Sequence, residues 1–301
     1  MIHIHNGDIT AAMARRAGLP GEHVAFREAL VAGPVREDEQ RISTRAHFLS
    51  TAHRHDLLRT SNMLFEQEQM LAATASNDEV VLWFEHDLFC LVHLLYVLQR
   101  VPMAKTYLVW HDQAIGDLQP EELWRVYRRR GAVTADMISV ARTAWRAYTS
   151  PEPGELNALL AREFREFPFL IEGLSLHAAR FPSTRNGLGI VEQRILEFIA
   201  EGSADFEALF NRFSRAQPRF GFGDSEIMRH LRDLALRRVP LVTLLEAAGT
   251  TNAALGITEH GQAVLAGADD IQTNGIDLWL GGVHLTTERL WRWDSERGEV
   301  V

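Results

Sequence analysis

The chain has 301 residues, 46% hydrophobic and 24% charged, which is enough for about two domains with real cores and leaves no stretch polar enough to stay unfolded. Its formal charge of −9 argues against a broadly basic nucleic-acid surface. The longest apolar run, 88–98, is broken by His93 and too short to span hydrocarbon, and the opening Met1-Ile2-His3-Ile4 carries no basic leader, so no membrane partner is expected and the cytoplasm is the expected compartment.

Residues 1–112 alternate strands with helices. "IHI" is a short strand ending in the turn Asn6-Gly7-Asp8, and "ITAAMARRAG" is a helix closed by Gly18. "HVAFREAL" reads as a second strand running into the breaker Gly33-Pro34. From Ile42 to about Ala75 the apolar residues recur at helical spacing, with polar clusters at 54–56 and 66–69. "EVVLWF" is an unbroken apolar run, the pattern of a parallel strand covered on both faces. It breaks into Glu85-His86-Asp87, and the chain resumes as an apolar helix. Cys90, the only cysteine, lies in that helix and reads as a small buried thiol; its solitude excludes intramolecular disulfides and cysteine-built zinc sites. "TYLVW" is a further strand, ending at His111-Asp112. Strand, helix, strand, helix, strand predicts a doubly wound, Rossmann-like parallel sheet over residues 1–150.

Helices follow over "QPEELWRVYRRRG", with Pro120 at its start, and over "TADMISVARTAWRAYTS", with Thr134 as N-cap. The segment Thr149–Gly154 is a linker, and 151–187 is a helical connector. Residues 188–268 give three amphipathic helices, then "PLVTLLE" and "LGITEHG" as strands around the turn "AAGTTNAA"; three helices and a β-hairpin is winged-helix order. The tryptophan-rich tail 269–301 is expected to pack on the body as a turn and a hairpin.

Three predicted strands end in polar, titratable residues, and in an open parallel sheet ligands bind beyond the carboxyl ends of the strands at a topological switch point. Carboxylates and imidazoles converging there could hold a hard divalent cation or perform acid–base work. Asp8, Glu85 and Asp87 are the candidate catalytic residues, with Asn6, Gly7, His86, His111 and Asp112 as ligand contacts beside them. The competing view of Asp8 and Asp87 is that each only caps the helix that follows it. Gly33 is a loop glycine that either contacts ligand or simply turns the chain, and Arg45 is either an anion contact or, more readily, a solvated or salt-bridged arginine. His47, His53 and His55 lack metal-motif spacing and read as surface residues. In the proposed recognition helix, Arg229 and Arg232 are the candidate DNA contacts, but acidic neighbours nearly cancel the charge and the wing has none, so a structural or dimerising role is favoured.

The blocks "HIHNGD", "FREALVAGPV", "RAHFL" and "VVLWFEHDLFCLVHLL" together resemble the bacterial family catalogued as domain of unknown function 1835. "FGFGD", "LGITEHGQAVLAG" and "NGIDLWLGGVHL" resemble the C-terminal half of its longer members. The resemblance implies no reaction or cofactor, but it singles out the blocks at Asn6-Gly7-Asp8, Gly33-Pro34, Arg45 and Glu85-His86-Asp87. Apolar Cys90-Leu91-Val92 departs from the polar residues that family members carry there.

The expected function is binding of a small anionic or nucleotide-like ligand at the strand ends, with hydrolysis or transfer of a phosphate group as the chemistry and a divalent cation as the cofactor. The alternatives are a ligand-responsive DNA-binding regulator and an interaction scaffold, in either case with room for a homo-oligomer.

Overall fold

The computed structural model describes residues 1–246 and 252–301. Its N-terminal half is an α/β layer built from β1 (Ile2–Asn6), α1 (Asp8–Arg16), β2 (Glu22–Phe26), β3 (Gly33–Pro34), α2 (Arg41–His53), α3 (Leu57–Ala73), β4 (Val80–Glu85), α4 (Leu88–Val97), β5 (Thr106–His111), α5 (Pro120–Arg128) and β6 (Gly131–Ala132). The main sheet has the order β2-β1-β4-β5-β6. Its first four strands are parallel, but β6 runs antiparallel to β5, so the sheet is mixed where the sequence predicted a purely parallel one. Two residues of glycine and alanine carry no strand signal of their own; β6 exists because the chain folds back along the β5 edge.

Alternation along β4 explains its unbroken apolar sequence. Val80, Leu82 and Phe84 enter one core with α4, whereas Val81 and Trp83 enter another with α1 and α5. Helix α4 is buried almost all round because it lies between the sheet and two later helices, α6 (Ala135–Thr149) and α8 (Leu170–Ala178). Thr134 caps α6, as its sequence predicts, accepting a hydrogen bond from Met137 N at 3.2 Å.

Strand β2 ends four residues before the sequence suggests. The chain leaves the sheet at Arg27, whose N–H donates to Gln67 Oε1 and whose guanidinium turns to Asp8. The helical stretch after Ile42 is two helices, not one: Arg54 closes α2 at φ 56 and Asp56 caps α3.

The remainder comprises α7 (Gly154–Leu160), α9 (Ile190–Ala200), α10 (Phe206–Ala216), α11 (Asp224–Ala235), the antiparallel pair β7 (Val242–Glu246) and β8 (Ala253–Ile257), α12 (Glu259–Ala266), and two terminal hairpins, β9 (Asp277–Gly281) with β10 (Val283–Thr286) and β11 (Trp293–Asp294) with β12 (Glu299–Val300). Most of the expected turn "AAGTTNAA" lies outside the described residues. The tail does pack on the body: β9 pairs in parallel with β3, Gly33 opposite Leu280, so the far end of the chain is stitched to its beginning. One buried apolar cluster runs from Ile2 to Val300 through both halves. Among the described residues no helix is long and apolar enough to cross a membrane.

Candidate functional site

The strand order reverses between β1 and β4, because β2 lies on one side of β1 and β4 on the other. A cleft of about 1980 Å³ opens at that switch point. Asn6, Glu85, Asp87 and Cys90 line it at the strand ends, Asp8, Arg27 and Glu28 line its mouth, and Gly221, Asp224, Glu226 and Arg232 line it from the C-terminal half.

Glu85 and Asp87 sit with Cys90 so that one donor atom of each lies within 4.8 Å of the others. Glu85 is half-buried at the end of β4, where its Oε1 accepts the Ile115 N–H at 2.8 Å; Asp87 is 6% exposed and its Oδ1 caps α4 by accepting from Cys90 N at 2.7 Å. The capping role predicted for Asp87 is therefore real and coexists with its place in the cleft. Burial pushes both carboxyls above their ordinary range, and the neighbouring Asp87 charge raises Glu85 further, to about 7. Such a pair holds a proton near neutral pH and can exchange it for a cation. Burial likewise pushes the Cys90 thiol up, so it stays protonated.

Asn6 is fixed from two sides. Leu30 N–H donates to His93 Nε2 at 3.2 Å, which puts the ring proton on Nδ1, and this donates to Asn6 Oδ1 at 2.7 Å. The Asn6 amide then presents Nδ2 to Cys90 Sγ at 2.8 Å. Burial holds His93 down to about 3 and so keeps it neutral.

The turn after β1 needs its glycine. Gly7 has φ 103 and ψ 169, open to glycine and strained for L side chains. No side-chain hydrogen bond caps α1, whose first residues, Asp8 and Ile9, line the cleft beside Asn6. Asp8 does not cap the helix either. It is exposed and holds Arg27 in a two-point ion pair at 2.5 and 2.7 Å.

Other predicted residues lie elsewhere. The His86 ring packs edge-on against Trp110 and stacks on Phe169, with centroids at 4.5 and 5.6 Å. His111 turns back to its own Gln113, and Asp112 is exposed. These two lie at the end of β5, one strand beyond the switch point, and Arg219 lies there, donating to the carbonyls of His86 and Asp112 at 2.9 and 3.3 Å. Gly33 has φ +70 inside β3, and any Cβ there would run into the Phe48 ring. Arg45 is buried, not solvated: it donates to the carbonyls of Ala29, Ala32 and Pro34 and to Glu28 at 2.7 Å, which fastens the segment after β2. His47 and His55 are exposed, as predicted, whereas His53 is half-buried 4.0 Å from Glu226.

Arg229 and Arg232 are both held by carboxylates. Arg229 is buried between Glu226 and Asp233 at 3.2 and 2.9 Å, and Arg232 pairs with Glu246 at 2.6 and 3.1 Å. Helix α11 turns its first residues into the cleft.

Residues that sequence reasoning missed come mainly from the far half of the chain. Gly221, at φ +65, packs directly on the Asp87 carboxylate, and any Cβ there would collide with it. The signal was present in "FGFGD", whose glycines mark close approach of backbone, but its partner lies 134 residues earlier. Arg27 and Glu28 were hidden inside what reads as a continuing strand. Neither the protein-family models nor the curated proteins include a match to this chain.

Proposed function

We propose that the cleft binds a small phosphate-bearing, nucleotide-like ligand through a divalent cation. One observation carries this reading: half-buried Glu85 and buried Asp87 line the cleft at the switch point of the sheet, and no described residue forms an ion pair with either. A hard ion such as Mg²⁺ or Mn²⁺ would neutralise the pair, and the anion would bridge from it to the uncapped N-terminus of α1. Asp8, its charge offset by Arg27, is the first residue of α1 and lines the same cleft. With such an ion held by Glu85 and Asp87, hydrolysis or transfer of a phosphate group is the chemistry the site would support.

We read the three helices α9 to α11 and the β7–β8 hairpin as a winged helix that serves as the cleft's second wall. The bridge between Asp205 and Ala254, which ties the hairpin back to the start of α10, supports that reading. The commitment of Arg229 and Arg232 to carboxylates weighs against DNA binding. A cytoplasmic location and kinship with the family catalogued as domain of unknown function 1835 belong to the same proposal.

The test is a thermal-shift titration of the purified protein with ADP and with inorganic pyrophosphate, each with and without Mn²⁺. We expect a rise of several degrees that needs metal and anion together and is lost in Glu85→Gln/Asp87→Asn. No shift with either anion, or an unchanged shift in the double variant, removes the assignment.

A further inference from the structure

Behind the cleft, between the sheet and helices α1 and α5, lies a cluster that the proposed function does not use. His3 and His5 are two residues apart on β1 and so face the same side; parallel pairing sets His23 of β2 beside His3. Ring centroids are 4.3 Å apart for His3 and His23 and 5.2 Å for His5 and His23. The three are 0%, 0% and 6% exposed, in a layer otherwise filled by Trp83, Tyr127 and aliphatic side chains. Three imidazoles in an apolar layer are an expensive choice if packing is their only purpose.

The hydrogen bonds fix each tautomer. Nε2–H of His3 donates to Pro20 O at 2.8 Å, and Nε2–H of His23 donates to Leu19 O at 3.0 Å, both carbonyls coming from the one short loop between α1 and β2. Imidazoles that bind metals characteristically donate their other N–H to a backbone carbonyl in this way, which orients the ring and leaves a lone pair on the inner nitrogen. The inner Nδ1 of His3 accepts from Trp83 Nε1 at 3.0 Å, and the inner Nδ1 of His23 faces His5 Nε2 at 3.0 Å. That leaves His5 Nδ1 as a fully buried nitrogen with no hydrogen-bond partner. His5 is thus held through Nε2 alone, and its Nδ1 is free to take the ring proton when Nε2 is engaged by something other than His23.

We infer that His3, His5 and His23 form a binding site for one transition-metal ion of the zinc type. One nitrogen of each lies within 4.8 Å of the others. Nitrogens on a tetrahedral zinc lie about 3.3 Å apart, given Zn–N bonds of about 2.0–2.1 Å, so the His5 and His23 pair is already near chelating distance. The donor set is all imidazole, which suits Zn²⁺, Co²⁺, Ni²⁺ or Cu²⁺ and not the hard ions proposed for Glu85 and Asp87. Burial keeps the three rings neutral, the form that coordinates. On loading, His5 moves its proton from Nε2 to Nδ1, His3 gives up the Trp83 donor, and no net proton leaves the protein.

The experiment uses the full chain, stripped with chelator and titrated with Zn²⁺ and with Co²⁺. We expect one equivalent per chain, a rise in melting temperature of about 3–5 °C at a hundredfold excess over Kd, and a Co²⁺ visible spectrum without thiolate charge transfer. Binding should persist in Glu85→Gln/Asp87→Asn/Cys90→Ser and disappear in His5→Gln and in His23→Gln. If the histidine variants do not fold, the Co²⁺ spectrum of the wild type and the persistence of binding in the triple variant decide the question. No stoichiometric binding, thiolate charge transfer, loss of binding in the triple variant, or retention in folded histidine variants would each overturn the assignment.

Discussion

Two buried carboxylate pairs in this molecule carry opposite electrostatics. Glu85 and Asp87 sit at the end of β4, and burial drives both toward the protonated form. Glu226 in α11 is buried and Glu192 in α9 largely so, and burial pushes them the same way. There, however, His230 donates to Glu192 at 2.7 Å and Arg229 pairs with Glu226 at 3.2 Å, so both are lowered instead, Glu192 to about 2. Burial alone does not separate a site from a scaffold. The cation placed beside the carboxylate does: the α11 cluster is neutralised from within, and the β4 pair is left for something from outside.

The comparison breaks most visibly at Arg229. Arg229→Met should leave Glu226 buried without its partner and cost about 3–5 kcal/mol, read as a lower urea midpoint at unchanged m. A loss under about 1 kcal/mol would mean that the α11 cluster is screened by water and is no structural counterpart to the β4 pair.

Conservative neutralisation sharpens the contrast because the two effects have opposite signs. Glu192 has a folded pKa of about 2 against 4.5 unfolded, so its contribution is present above pH 4.5 and is lost as pH falls toward 2. Glu192→Gln should therefore cost about 3 kcal/mol at pH 7, the difference from wild type fading in acid. Glu85 is raised to about 7 from 4.5, so its contribution is full below pH 4.5 and is lost as pH rises through 7. Glu85→Gln, which keeps the oxygen bonded to Ile115 N, should accordingly be more stable than wild type at pH 8 by about 3 kcal/mol and no different at pH 4. Denaturant melts of both variants across that range check the signs, and a destabilised Glu85→Gln at pH 8 would contradict the frustrated state assigned to the pair.

A smaller effect is expected where the halves meet. Gly221→Ala places a Cβ at φ +65 against Asp87, and backbone strain of this kind costs about 1–3 kcal/mol. Because the collision is with a carboxylate of the site, the Mn²⁺-dependent thermal shift should fall along with stability. A variant that loses stability but keeps the full shift would separate the Gly221 contact from the site.

Much of the site's position could be read along the chain, because strand-end residues follow from hydrophobic pattern alone. The run "VVLWF" announces a doubly covered strand, and Glu85-His86-Asp87 then has to lie at its carboxyl end. What the pattern cannot carry is strand order. His111 and Asp112 end a strand just as Asp8 and Glu85 do, yet β5 lies outside the switch point and its end stays off the cleft. Pairings over long separation were equally invisible: Gly221 on Asp87, β9 on β3, Arg45 in the loop after β2. The histidine cluster was half legible, since alternation alone puts His3 and His5 on one face. His23 joined them only once the register of β1 and β2 was known.

The smallest expected change in stability tests the function most cleanly. Asp8 and Arg27 form an exposed ion pair, 61% and 53% accessible at the side chain, and such pairs contribute about 0–1 kcal/mol. Asp8→Asn should therefore melt within about 2 °C of wild type. Its loss nevertheless unpairs Arg27 at the mouth of the cleft beside the uncapped α1 terminus, and adds one positive charge to the approach of an anion. If Asp8 serves only to position Arg27, anion binding without Mn²⁺ should strengthen in Asp8→Asn. If Asp8 shares the cation with Glu85 and Asp87, Mn²⁺-dependent binding should weaken at least tenfold while the fold is untouched. Calorimetric titration of pyrophosphate with and without Mn²⁺ distinguishes the two, and the second outcome is the one the proposed function requires.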